Sequence, residues 1–224
     1  MAALMEGPHE VEVERIVLSG PGGPVDAIHA RPLGMPVAGV VVHPDILGIR
    51  PLFDDLARRL ASHGFAVCAP EPFWAVDAPA RTELDAPTRL GLVADLRDAL
   101  QLGALEAAAD HLVVADDVRS VAIIGFCMGG MYASKAAGSG RFDRAISCYG
   151  MIRVPEGWAG EHLGEPLDAL AEACPTLAIL GGVDHWTPDA DVAALRAVLD
   201  ADSTSAAVAA VGALAADLAR GVRR

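Results

Sequence analysis

The chain has 224 residues, of which 53% are hydrophobic and 4% aromatic, and its formal net charge is −13. This length and composition predict a single domain, spanning 1–224, with a large aliphatic core and little disorder. The negative charge argues against nucleic-acid backbones and anionic membranes as partners, because both would repel the chain.

The four cysteines, at positions 68, 127, 148 and 174, form no CxxC pair and show no metal-ligand spacing with histidine. We therefore expect no metal and no cofactor. The stretch MAALMEGPHEVEVER lacks a basic segment followed by an apolar one, and no run reaches the roughly 18 apolar residues that span a bilayer. These features predict a cytoplasmic protein with reduced thiols. Cys68, Cys148 and Cys174 lie in or beside apolar, strand-like runs and are expected to be structural.

Short β-branched runs alternate with helical patterns, which is typical of a parallel sheet covered by helices. VEVERIVL and VDAIHARP are predicted to form an opening hairpin around the turn residues SGPGGP. AGVVVH (38–43) and FAVCAP (65–70) follow as buried strands. The segment between these strands, PLFDDLARRLASHG, has the apolar spacing of an amphipathic helix that ends at Gly64.

The second half continues the alternation after an irregular, proline-rich segment, EPFWAVDAPARTELDAP. One long helix is predicted from Thr88 to Leu112. Further strands are predicted at 118–125, 144–150 and 175–182, and further helices at 128–137 and 189–200. The predicted fold is α/β: a mostly parallel, doubly wound sheet with helices on both faces and antiparallel elements at its start.

The turn GFCMGG joins a predicted strand to a predicted helix and carries a G-x-C-x-G pattern. Glycines two residues before and after Cys127 suit a turn too tight for a Cβ, which is the geometry of a nucleophile elbow with cysteine in place of serine. The helix that begins at Met128 is expected to push the thiol toward thiolate. A buried cysteine in a glycine-rich turn is the alternative. A phosphate loop fits less well, because the spacing differs from both phosphate-binding motifs and the turn itself carries no lysine to neutralise phosphate charge.

Residues from about 35 to 200 resemble the dienelactone hydrolase family, cysteine enzymes of the α/β-hydrolase fold. Five segments carry the resemblance in order: HPDILGIRP, LARRLASHGFAVCAPEPF, GFCMGGMYA, SCYG and GGVDHWTP. The resemblance implies a hydrolase of carboxylic ester or lactone bonds. We expect a monomer that acts on a small-molecule ester or lactone.

The resemblance assigns Cys127 as the nucleophile and Asp184 as the acid that orients a catalytic histidine. Asp184 also follows the strand PTLAILGG directly, so its carboxylate is expected at the same sheet edge as Cys127. An aspartate that merely caps or turns the loop is the alternative.

Further positions match the resemblance around this pair. Asp45 stands where the family has a glutamate that interacts with the resting thiol, and it is one methylene shorter. Ile46 and Met128 are placed to donate the backbone N–H groups of an oxyanion hole. Tyr149 matches a pocket tyrosine, although packing would explain it equally well.

The family's histidine follows the acid by about thirty residues, but no histidine occurs after His185 in this sequence. His43 and His185 are the possible substitutes, whereas His63 and His111 are expected to be solvated. Residues 203–224 are an atypical run rich in Ala, Val and Arg, which we interpret as the product of a shifted reading frame. The second hypothesis is therefore a catalytically impaired or non-enzymatic hydrolase-like binding protein.

The family's substrate carboxylate is bound by arginines. Arg81 and Arg89 in the proline-rich segment are the candidates for this role. Ordinary surface charges are the alternative for both.

Overall fold

In residues 6–75 and 84–201, which the computed structural model of the protein describes, seven strands form one sheet in the order β1-β2-β4-β3-β5-β6-β7. The strands are β1 (Val11–Gly20), β2 (Gly23–Pro32), β3 (Ala38–His43), β4 (Phe65–Pro70), β5 (Val121–Phe126), β6 (Arg144–Cys148) and β7 (Thr176–Ile179). Strands β3 to β7 are parallel, whereas β2 is antiparallel to both β1 and β4. The predicted mostly parallel sheet with an opening hairpin is confirmed.

Helices cover both faces of this sheet. The α-helices are α1 (Pro51–Ser62), α2 (Ala86–Leu92), α3 (Asp98–Asp116), α4 (Met128–Ala137), α5 (Pro166–Ala169) and α6 (Asp189–Ala201). Helix α1 buries Phe53 and Ala57 against one face, and α3 and α4 bury Leu105 and Met131 against the other. Successive residues of β3 point alternately into these two clusters, because side chains alternate across a strand. In the described part of the chain, no helix is long and apolar enough to cross a membrane.

The single helix predicted from Thr88 to Leu112 is wrong. The chain forms α2 and a 3-10 turn (Val93–Asp95), passes through extended backbone at Leu96 and Arg97, and then starts α3. The break lets the Asp98 carboxylate pair with the buried Lys135 ammonium of α4 at 2.8 Å and accept the N–H of Gly164 at 2.8 Å. The apolar spacing of the sequence does not reveal these long-range contacts.

The predicted strand bounds are too wide at several ends. Strand β5 begins at Val121, β6 ends at Cys148 and β7 ends at Ile179. Of the proline-rich segment, residues 76–83 lie outside the described residues, as do residues 203–224 at the end of the chain.

A buried imidazole ties the hairpin to α3. His29 of β2 lies between two carboxylates, with Nδ1 3.0 Å from Glu14 and Nε2 2.8 Å from Asp116. The side chains of His29 and Asp116 are 3% and 1% exposed. His111 packs edge-on against His29, and burial lowers the pKa of His111. The expectation that His111 is solvated is therefore wrong, because α3 presents it to β2, whereas His63 is exposed as expected.

Replacing His29 with leucine should lower the free energy of unfolding by about 3 kcal/mol, because it leaves the buried Asp116 carboxylate without its close partner. Denaturant unfolding at pH 7 measures this loss. Glu14→Gln is the matched control, since Glu14 is half-exposed and its removal should cost less than about 1 kcal/mol. Equal losses of stability in the two variants would contradict a larger contribution from the buried His29–Asp116 contact.

Candidate active site

A single residue makes the turn from β5 into α4. Strand β5 ends at Phe126 and α4 begins at Met128, so Cys127 absorbs the change of direction, with φ 55° and ψ −119°. A Cβ at Gly125 would run into the carbonyl of Gly129, and a Cβ at Gly129 would run into the carbonyls of β3 and its loop. The predicted tight turn is confirmed. Such a left-handed conformation at a non-glycine residue is strained and is typical of functional sites.

The loops that follow β3, β5, β6 and β7 bring four predicted site residues together. The carboxylates of Asp45 and Asp184 both act electrostatically on the Cys127 thiol. Tyr149, directly after β6, has φ 42°, and its half-exposed phenol interacts with Asp45 and Cys127. These loops share the carboxyl edge of the parallel strands, which is where doubly wound sheets hold their ligands.

The expectation that the thiol is pushed toward thiolate is wrong. Burial raises the pKa of Cys127, and the charges of Asp45 and Asp184 raise it further. A hydrogen bond from the Met128 N–H lowers the pKa, as the helix N-terminus should, but its effect is smaller than that of burial. The sequence places the helix and both carboxylates at this sheet edge, but it does not reveal the burial of the thiol, which has the largest effect on its pKa.

The loop after β3 is held by its own ion pair. The Asp45 carboxylate binds the Arg50 guanidinium through two hydrogen bonds, of 2.6 and 2.7 Å, and accepts the N–H of Leu47 at 2.9 Å. Among the described residues no acceptor takes the Ile46 N–H, which leaves it available to a ligand. Sequence reasoning missed Arg50. Its signal is an arginine in the same loop as Asp45, just before the proline that starts α1.

A second carboxylate supports the same loop from β4. Glu71 accepts the N–H groups of Ile49 at 2.7 Å and Phe73 at 3.2 Å. Arg89 lies 3.6 Å from Glu71, and both side chains are 7% exposed. Arg89 therefore is not a surface charge, because it joins α2 to this loop. Arg81 lies outside the described residues. Glu71 was also missed, although a polar residue directly after a buried strand is a signal for this sheet edge.

Asp184 lies in the loop between β7 and α6. One oxygen of its carboxylate accepts the N–H of Trp186 at 3.0 Å, so the residue does shape a turn while it also acts on the thiol. Asp184 lines a cavity of about 610 Å³ together with His185 and Thr187. His185 is exposed, and its ring packs against Trp186 at 5.0 Å.

The His43 imidazole is engaged within the core. Its Nδ1 donates to the Pro44 carbonyl at 3.0 Å, its ring stacks on Tyr132 at 5.2 Å, and the Gln101 side chain also hydrogen-bonds to it. Burial lowers the pKa of His43 to about 4. The imidazole is a neutral, hydrogen-bonded residue at a strand end, which is the alternative to a catalytic base.

The remaining cysteines are free thiols in the core or beside it. Cys68 and Cys148 are buried and Cys174 is half-buried. Within the described ranges, no group of three or more His, Cys, Asp or Glu side chains is arranged to hold a metal ion.

Comparisons with known proteins point to one family. The model of the dienelactone hydrolase family matches residues 25–210. A protein of Escherichia coli O157:H7, provisionally named carboxymethylenebutenolidase, is 31% identical over 197 residues, which cover 84% of this chain and 70% of that one. The carboxymethylenebutenolidase of Pseudomonas putida is 26% identical over 172 residues, covering 72% and 67% of the two chains.

A solved structure agrees. The crystal structure of a provisionally named dienelactone hydrolase from Klebsiella pneumoniae subsp. pneumoniae MGH 78578 superimposes with a TM-score of 0.78 at 27% identity. The match covers 86% of this chain and 81% of that one.

Cys127 should react with iodoacetamide more slowly at pH 7 than a free cysteine, because its raised pKa leaves little thiolate. Asp184→Asn should speed the reaction about threefold or more, since it removes a negative charge that opposes ionisation. Mass spectrometry of the Cys127 peptide over a pH series measures both effects. Asp189→Asn, in the same cavity wall, is the matched control and should leave the profile unchanged. A wild-type rate above that of free cysteine would contradict the raised pKa of Cys127.

The pKa of His43 also makes stability depend on pH. The unfolded chain protonates this imidazole near pH 6.5, whereas the folded chain resists protonation down to about pH 4. Stability should therefore fall as the pH drops through this window, by about 2 kcal/mol between pH 7 and pH 5. Denaturant unfolding of the wild type and of His43→Gln at both pH values isolates this contribution. Equal losses in the two proteins would rule it out.

Proposed function

The chain belongs to the dienelactone hydrolase family, and on that premise we propose that it hydrolyses carboxylic ester or lactone bonds of small molecules with Cys127 as the nucleophile. The observation that carries the proposal is the strained elbow. Cys127 makes the whole turn from β5 into α4 with a positive φ at the carboxyl edge of the sheet, and the Met128 N–H is directed at its sulfur. A merely buried cysteine would need no such backbone conformation.

The proposed reaction has two steps. The Cys127 thiol gives its proton to a base, for which His185 is the candidate left once His43 is engaged in the core. The sulfur attacks the carbonyl carbon, the carbon–oxygen bond to the alcohol breaks, and the base returns the proton to the leaving alcohol. Water then cleaves the thioester and releases the carboxylic acid and the thiol. The N–H groups of Ile46 and Met128 stabilise the negative oxygen in both steps, and each such donor typically contributes about 2.7–4 kcal/mol.

Three side chains around the thiol have separate proposed roles. Asp184 orients the base, as the acid after the nucleophile in chain order does in this fold. Asp45 acts as a supporting residue, and Tyr149 donates its phenol O–H to substrate, because burial raises the pKa of Tyr149 and keeps it protonated.

A second candidate function has its own support. His43 is engaged in the core, and His185 packs on Trp186 in an exposed loop. With a thiol whose pKa is raised and no histidine placed between it and Asp184 in the described residues, the chain could be acylated without turning over. Such a protein would be an impaired or non-enzymatic hydrolase-like binding protein.

Other parts of the proposal rest on the sequence. These are a cytoplasmic location, a monomeric state, a single domain over 1–224 and a reaction that needs no cofactor. The family match agrees with a small-molecule substrate.

An activated aryl ester such as 4-nitrophenyl acetate separates the two candidates. A hydrolase should release nitrophenol steadily, and Cys127→Ala should abolish the release. Asp184→Asn should lower kcat at least about tenfold, because the base loses its orientation. Stopped-flow absorbance measures the burst and the steady phase together.

Cys148→Ala is the matched control, because Cys148 is a buried thiol on the neighbouring strand. It should retain steady turnover. A single stoichiometric burst in the wild type, lost in Cys127→Ala, would overturn the hydrolase and support the binding protein.

A further inference from the structure

Both carboxylate oxygens of Asp45, the residue before Ile46, accept hydrogen bonds from the same loop. Asp45 Oδ1 accepts from Arg50 Nη1 at 2.6 Å and from the Leu47 N–H at 2.9 Å, and Oδ2 accepts from Arg50 Nη2 at 2.7 Å. The Asp45 backbone carbonyl also accepts the Gly48 N–H at 2.9 Å. Paired, charge-assisted hydrogen bonds of this kind fix orientation as well as supplying energy.

Arg50 is itself held in place on several sides. It precedes Pro51, the first residue of α1, and its guanidinium lies over the Phe53 ring at 5.0 Å. Nη1 also donates to the Gly48 carbonyl at 3.3 Å. Both side chains of the pair are partly buried, with Arg50 27% and Asp45 16% exposed. The pair is therefore more strongly coupled than an exposed surface salt bridge.

The surroundings of the thiol explain why this pair matters. Asp45 comes from the loop after β3, Tyr149 and Cys148 from β6 and its end, and Asp184 from the loop after β7. The charges of Asp45 and Asp184 both raise the pKa of Cys127, so they oppose a negative charge on its sulfur. Arg50 is the cation that acts among them, since it lowers the pKa of Tyr149 while its neighbours raise it. In the described part of the chain, no hydrogen bond joins the Cys127 sulfur to Asp45.

We infer that Arg50 is a positioning residue that acts through Asp45: it holds this carboxylate in the loop and balances its charge, so that the Cys127 thiol can ionise beside it. The inference concerns the ionisation of the thiol and does not depend on ester hydrolysis. It adds a residue that neither the sequence motifs nor the family match assigns.

A double-mutant cycle on Arg50 and Asp45 tests the inference. Iodoacetamide alkylation of Cys127, followed by peptide mass spectrometry from pH 6 to pH 10, is measured for the wild type, Arg50→Gln, Asp45→Asn and the double variant. Arg50→Gln should react about three- to tenfold more slowly at pH 7.5, because it exposes the thiol to an unbalanced anion, and one pKa unit is a tenfold change in thiolate. Asp45→Asn should react faster, since it leaves an unbalanced cation.

The double variant shows whether the changes in reactivity arise from charge or from a loss of the loop's shape. It should react faster than Arg50→Gln and no faster than Asp45→Asn, because both charges are gone, and Arg50→Lys should fall between the wild type and Arg50→Gln. Circular-dichroism melting of all variants checks that they fold. A loop that only loses its shape would shift both single variants in the same direction and the double variant furthest. That pattern, or an Arg50→Gln profile equal to the wild type, would overturn the inference.

Discussion

The site depends on the close contact between the first turn of α4 and the end of β3. The carbonyls of His43 and Pro44 lie where a Cβ on Gly129 would be, and the Gly129 carbonyl lies where a Cβ on Gly125 would be. Because the backbones are this close, Cys127 must turn in a single left-handed residue. The same contact sets the loop of Asp45 and Ile46 beside the thiol. Cys127, the N–H groups of Ile46 and Met128 and the Asp45 carboxylate are thus placed together by one backbone contact.

Ion pairs then fix the loops that this contact brings together. The Asp45–Arg50 pair closes the loop after β3, Glu71 joins that loop to β4 and to Arg89 of α2, and Asp98 joins α3 to Lys135 of α4. A chain with a net charge of −13 has more carboxylates than cations to pair with them. Arg50, Arg89 and Lys135 are accordingly paired with the carboxylates of Asp45, Glu71 and Asp98. Burial raises the pKa of the Cys127 thiol, and the charges of Asp45 and Asp184 raise it further.

The position of His43 illustrates how the site and the core share residues. It ends β3, two residues before Asp45, and its ring stacks on Tyr132 and forms a hydrogen bond with Gln101. Side chains alternate along a strand, so the last residue of β3 belongs to the face covered by α3 and α4. The backbone of His43 shapes the elbow while its imidazole stabilises the core.

The sequence by itself determined the alternation of strands and helices, the opening hairpin, the tight turn at Cys127 and the position of Asp184 after β7. These features follow from local spacing, from the small size of glycine and from the rule that parallel strands share a carboxyl edge. Only the tertiary structure decided the break before α3, the buried state of His43 and Arg89, the Asp45–Arg50 pair and the raised pKa of the thiol. Each of these depends on burial or on charges set by the folded loops and helices, and hydrophobic periodicity does not encode such contacts.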